Sequence, residues 1–132
     1  MLKKPVQVEY WSYVLADGWQ AYAGKTAFDN DLLSLEFAQP DDFWFHVHDQ
    51  PGSHVILRAP EGSQNPPDRA LLEQAAAIAA WHSKARGSPR CAVDCTQARH
   101  VSKSKGAPPG TVTVTRVRKL KVKPALPPSS ED

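Results

Sequence analysis

The stretch RALLEQAAAIAAWHSKAR, residues 69–86, constrains the fold more than any other part of the chain. Two start signals stand directly before it. Pro66 and Pro67 interrupt any preceding helix, and the Asp68 carboxylate suits the free amides of a helix N-terminus. Gly87 is the residue type that closes a helix in the left-handed conformation. The spacing predicts one helix over 69–86, with Leu71, Ala75, Ile78, Ala79 and His82 on one face. Small side chains on that face let the helix lie close to a sheet.

Enough sheet is available. Residues 6–15, VQVEYWSYVL, read as a strand, ADG as a turn and WQAYAG as the return strand of a hairpin. Asp29 or Asn30 can cap a short helix through DLLSLEFA, which Pro40 ends. DFWFHV and HVILR read as strands around the turn HDQPGS, and APEGSQNPPD as a loop. After the long helix, RCAVDCT, TVTVTRV and KLKVK are strands, and RHVSKSKGAPPG is a basic loop between the first two. The order β-β-α-β-β-α-β-β-β is α+β: a mixed or antiparallel sheet packed against one long and one short helix. At 132 residues a single domain is expected, over 1–123, with PALPPSSED (124–132) as a disordered tail.

Several function classes drop out early. The two cysteines, Cys91 and Cys95, are too few for a disulfide scaffold, and their C-x3-C spacing on a strand suits small core packing. No apolar stretch approaches the ~20 residues of a membrane span, and no apolar segment follows Lys3 and Lys4, so a cytoplasmic protein is expected. GWQAYAGKTAF (Gly18 to Phe28) imitates a phosphate-binding loop, but it has five residues between its first Gly and Gly-Lys-Thr where that loop has four. Ser53 and Ser83 lack the sequence of a nucleophile elbow.

The segment DFWFHVHDQPGSH, residues 42–54, holds most of the candidate chemistry. Strand alternation points Phe43, Phe45 and Val47 to the core, and Asp42, Trp44, His46 and His48 to the opposite face. Gln-Pro-Gly suits a type II turn with Gly52 at its left-handed position. A three-residue loop would pair His48 with His54, His46 with Ile56 and Trp44 with Arg58; a two-residue loop would take His54 off that face. A small metalloenzyme using His46, His48 and His54 is one reading of this cluster.

The charge distribution favours a second reading. Residues 1–94 carry eight Lys/Arg against twelve Asp/Glu, while residues 95–132 carry eight against two, and no acid occurs between Asp94 and Glu131. A basic C-terminal third calls for an anionic partner, either a nucleic acid or an acidic protein docked on the basic strand. Lys84 and Arg86 end the long helix, Arg99, Lys103 and Lys105 occupy the Gly/Pro-rich loop, and Lys119 lies in the last strand. Such groups hold phosphates, while Trp44 and His46 offer rings to unpaired bases.

Together, FDNDLLSLEFAQPDDFWFHVHDQPGSHVIL, AAAIAAWHSKARGSPRCAVDCT and HVSKSKGAPPGTV resemble the NFACT-R domain, from about Trp19 to about Val122. The resemblance rests on Asp42-x-Trp44-x-His46, the Pro51-Gly52-Ser53-His54 turn, Ser83 to Arg86, and the Lys-x-Lys-Gly loop ending at Gly106, all in the family's order. It implies an α+β RNA-binding module. In the large members this module accompanies an NFACT-N domain, a helix-hairpin-helix and a coiled coil, which bind the large ribosomal subunit and tRNA and extend stalled nascent chains. The chain resembles the stand-alone bacterial form, and tail synthesis is not implied. Two positions depart from the pattern: Cys95 replaces a Tyr, and His48 stands where polar residues vary.

The expected function is therefore non-catalytic binding of tRNA or rRNA, on the ribosome or in RNA metabolism, with no cofactor and no metal. The expected contact set is Asp42, Trp44, His46, His54, Lys84, Arg86, Arg99, Lys103, Lys105 and Lys119. Pro51, Gly52, Ser53 and Gly106 shape the turns. Asp42 is expected to orient His46 or Trp44, and Asp94 a neighbouring base-contact group.

Overall fold

The computed structural model describes residues 7–128. Six strands form one antiparallel sheet: β1 (Tyr10–Val14), β2 (Gln20–Gly24), β3 (Phe43–Val47), β4 (Val55–Arg58), β5 (Cys91–Gln97) and β8 (Arg118–Val122), in the spatial order β1-β2-β4-β3-β5-β8. Every pairing in it is antiparallel. The expected α+β sheet is thus present in its antiparallel form. A separate two-stranded ribbon pairs β6 (Val101–Ser102), an unexpected strand within the basic loop, with β7 (Thr113–Val114), which is all of the expected strand TVTVTRV that forms.

Helix α2 (Arg69–Trp81) covers one face of the sheet. Asp68 caps it as expected, its carboxylate accepting from the Leu71 amide at 2.9 Å. Ala75, Ala76, Ile78, Ala79 and Ala80 are fully buried against Phe45, Val47, Val55, Leu57, Val93, Leu120 and Val122. Each large side chain buried in this layer contributes about 1.5–3 kcal/mol.

The helix stops five residues before Arg86. His82 leaves helical space (φ −91°, ψ 43°), because its neighbourhood bonds to a distant turn. Ser53 N–H donates to the His82 carbonyl (2.9 Å), Lys84 N–H donates to the Pro51 carbonyl (3.2 Å), and Gly52 forms a β-bridge with Ser83. Lys84 and Arg86 consequently lie on a turn and not on the helix end.

Part of the other face is covered by α1 (Ala27–Leu32), which continues into a π turn (Leu33–Phe37), and by the β6–β7 ribbon. Leu33, Trp44 and Ile56 form its buried centre, packed against Tyr10, Tyr22, Phe37, Val101, Val112 and Val114. The cap of α1 is Thr26, not Asp29 or Asn30. Thr26 Oγ1 accepts from the Asp29 amide (3.0 Å), and the Asp29 carboxylate accepts from the Thr26 amide (3.1 Å).

The β3–β4 register is Trp44 opposite Ile56 and Phe45 opposite Val55. It matches neither expected loop, yet it keeps the parity of the three-residue one, so His46 and His54 share a face. Left-handed backbone occurs at Asp49 (φ 55°), not at Gly52. Gly52 serves close approach instead: a Cβ there would stand 2.6 Å from Ser83 Cβ.

The expected first strand starts only at Tyr10, and its residue Val6 lies outside the described residues. Of the expected tail, Pro124 is buried and Ala125 N–H donates to the Ala77 carbonyl of α2 (3.2 Å). Residues 129–132 lie outside the described ones.

Candidate nucleic-acid interface

A cleft of about 710 Å³ opens at the end of the sheet where β2 and β3 leave it and β4 and β5 enter. One wall is Trp11 of the edge strand β1 with Lys25, Thr26 and Ala27 at the start of α1. Pro51, Gly52 and Ser53 with Ser83, Lys84 and Arg86 form another wall, and His82 joins it to Trp11. His46 and Asn30 also line it, and Pro109, Gly110 and Thr111 close its side.

The chemistry of the cleft is aromatic and cationic. The Trp11 ring, 39% exposed, stacks on His82 with centroids 4.2 Å apart and planes 11° from parallel. Lys25 Nζ stands 5.3 Å from the Trp11 ring centroid. Tyr13 Oη lies 2.7 Å from His82 Nε2. Burial, helped by the Arg86 charge, pushes the His82 pKa down to about 4, so the ring stacked on Trp11 is neutral at pH 7. Burial also lowers the His46 pKa, against the pull of Asp94 and the Gly52 backbone. Lys25, Lys84 and Arg86 bring three cations, and the lining holds no carboxylate among the described residues.

The expected contact residues separate into several groups. His46, Lys84 and Arg86 line the cleft, as do Pro51, Gly52 and Ser53. Trp44 and His54 lie behind it. Trp44 is 3% exposed and offers no ring face to a base; its Nε1–H donates to Ser34 Oγ (2.9 Å), which lies 2.8 Å from His54 Nδ1. Burial and the neighbouring His46 push the His54 pKa down to about 4, despite Asp31 and the Gly110 and Asn30 backbone.

Asp42 bonds neither His46 nor Trp44. It accepts from Arg58 Nη2 (2.8 Å) and the Gln39 amide (2.9 Å), at the opposite end of β3 from the cleft. Arg99 pairs with Asp41 at that same far end. Lys103 is turned inward, donating to Asp31 Oδ2 (3.0 Å) and to the Pro108 (2.6 Å) and Thr111 (2.8 Å) carbonyls. These bonds tie the basic loop to α1 and leave the Lys103 side chain 27% exposed. Lys105 is exposed beside Gly106, whose φ of 81° makes the loop turn. Lys119 lies 4.0 Å from Asp94, whose carboxylate also accepts from or pairs with His48 Nδ1 at 3.0 Å. Among the described residues no three His, Cys, Asp or Glu side chains are grouped so that they could hold a metal ion, so His46, His48 and His54 do not form the expected alternative metal set.

Sequence reasoning missed Trp11, Lys25 and His82. Trp11 sat in a strand read only as hairpin, Lys25 in a discarded loop motif, and His82 inside a helix face. Their common position follows from pairing Trp11 with Ala23 and from the early end of α2.

The family model described as NFACT protein RNA binding domain matches residues 9–116. The chain belongs to the NFACT RNA-binding domain family. Among relatives of this NFACT domain, the Rqc2 homolog RqcH of Bacillus subtilis is 38% identical over 99 residues, covering 75% of this chain and 16% of that protein. The ribosome quality control complex subunit NEMF homolog of Drosophila melanogaster is 30% identical over 78 residues, covering 57% of this chain and 8% of that protein. A solved structure described as the C-terminal of the fibronectin/fibrinogen-binding protein from Streptococcus suis has a TM-score of 0.77 at 34% identity, covering 95% of this chain and 48% of that one. The matched NFACT segment is thus a small part of its curated relatives.

Proposed function

We propose that the chain binds structured RNA, tRNA or rRNA, without catalysing a reaction, and that it does so in the cytoplasm in ribosome-associated quality control. The names of the RqcH and NEMF relatives support the setting. The observation that carries the reading is the carboxylate-free cleft, where Lys25, Lys84 and Arg86 surround the stacked Trp11 and His82 rings. Cations hold the backbone phosphates, and the exposed face of the stack receives an unpaired base from a loop or end. Trp44, His54 and Ser34 brace the cleft from behind, and Asp42 braces the far end of β3 through Arg58.

The test is tRNA and ribosome binding across a salt series, with wild type and Lys25→Gln/Lys84→Gln. Wild-type log affinity falls linearly with log salt by about 0.7–0.9 per neutralised phosphate. The double variant binds more weakly at every salt, with a slope shallower by about 1.4–1.8. Flat salt dependence, or no binding near physiological salt, overturns the reading.

A further inference from the structure

The face of the sheet turned away from α2 is only half covered. The π turn and the β6–β7 ribbon lie over Tyr10, Tyr22, Ile56 and Trp44 of β1, β2, β4 and β3, and Thr96 at one end of β5 is buried under the segment after β7, its hydroxyl donating to the Thr115 carbonyl (2.7 Å); Lys119 and Lys121 of β8 stay exposed. In β8 the buried residues are Leu120 and Val122, which leaves Lys119 and Lys121 on this open face. Lys123 follows the same alternation, exposed between buried Val122 and Pro124. Asp94 pairs with Lys119 and Ala92 with Lys121, and Arg90 and Lys123 lie directly beyond the last pair of the register, Cys91 with Val122. Arg90, Lys121 and Lys123 are exposed, and Lys119 is 52% exposed.

This basic strip is continuous with the cleft. His46, which lines the cleft, lies directly across from Asp94 in β5, and Asp94 lies across from Lys119 in β8. The next row runs from His48, whose amide donates to the Ala92 carbonyl (3.0 Å), to Ala92 and Lys121. Two acids border the strip, Asp49 and Asp94, and both lie against His48 (3.3 and 3.0 Å). Lysines two residues apart on a strand repeat every ~7 Å, comparable to the distance between successive phosphates of an extended strand. The same lysines oppose pairing of the β8 edge with another strand, which disfavours a second copy or a peptide as the occupant.

We propose that an RNA strand leaving the cleft crosses β3 and β5 at His46 and His48 and lays its phosphates along Lys121, Lys123 and Arg90. The inference rests on the RNA-binding reading of the cleft and adds a direction and a length to it.

The experiment uses single-stranded RNA oligomers of graded length, about 4 to 16 nucleotides, bound to wild type, to Lys121→Gln/Lys123→Gln and to Lys25→Gln/Lys84→Gln, with melting temperatures as a folding control. Wild-type affinity rises with length beyond the shortest oligomers. The β8 variant binds the shortest oligomers as wild type does but gains nothing from added length, and its salt slope for long oligomers is shallower by about 1.4. The cleft variant is weakened at every length. If the β8 variant retains the full length dependence and slope while the cleft variant is weakened, the path along β8 is wrong and the cleft reading stands. If wild type binds no RNA, both fail.

Discussion

Acidification from pH 7 to pH 5 destabilises this domain through His54. The ring is 2% exposed, wedged between Trp44 and His46 with centroids 5.2 Å from each, and its Nδ1 meets Ser34 Oγ. Its pKa falls from 6.5 in the unfolded chain to about 4 in the fold. Between those two values the unfolded chain takes up a proton that the folded one refuses, so stability falls as pH falls. The contribution is fully present above pH 6.5 and is lost progressively towards pH 4. At about 1.36 kcal/mol per pH unit, the loss from pH 7 to pH 5 is about 2 kcal/mol.

His46 and His82 are shifted in the same direction and add to the wild-type slope, so the His54 share is read by difference. Urea unfolding followed by tryptophan fluorescence at pH 7 and pH 5 gives it. His54→Gln is less stable than wild type at pH 7, because a packed ring is lost, but it declines by about 2 kcal/mol less on going to pH 5. Parallel declines in the two proteins would refute the reasoning, since they would mean that His54 titrates alike in the folded and unfolded chains.

Gly52→Ala forces a Cβ to within 2.6 Å of Ser83 Cβ and parts the bridge that forms one cleft wall; stability should fall by about 1–3 kcal/mol and tRNA affinity with it, checked by thermal melting and by binding. Lys103→Gln breaks the contacts to Asp31 and two carbonyls and should cost about 1.5–3 kcal/mol in denaturant unfolding, whereas Lys105→Gln, exposed beside Gly106, should leave the unfolding midpoint unchanged. Equal effects of these two substitutions would show that the basic loop does not use Lys103 as its internal tie.

Much of the fold is legible because it is written locally. Asp68 announces α2 by supplying a carboxylate where free amides need one, and the alanines after it permit close packing on a sheet. The alternation in DFWFHV assigns Phe45 and Val47 to the α2 side and Trp44 and His46 to the other. The site was legible only in pieces. Lys84, Arg86 and His46, singled out in the sequence, line the cleft, though the first two do so from a turn and not from the expected helix end, and Trp44, expected to stack on bases, has its face covered by the π turn and the ribbon. An aromatic on the second face of a strand looks the same in sequence whether or not another layer lies on it.

The sequence by itself determined most element types, the α2 start, the two faces of β3 and the NFACT family, because these depend on side-chain period, caps and the order of short motifs; the β3–β4 register, and with it the face of His54, was decided by the tertiary structure. Only the tertiary structure decided where α2 stops, which lysines face solvent, and that Trp11, Lys25 and His82 share one cleft. The physical reason is the range of the interactions. Backbone bonds between residues 51–53 and 82–84 end the helix, and Asp31, 72 positions from Lys103, turns that lysine inward. Such contacts leave no local pattern, and they convert a scatter of charges and rings into a surface.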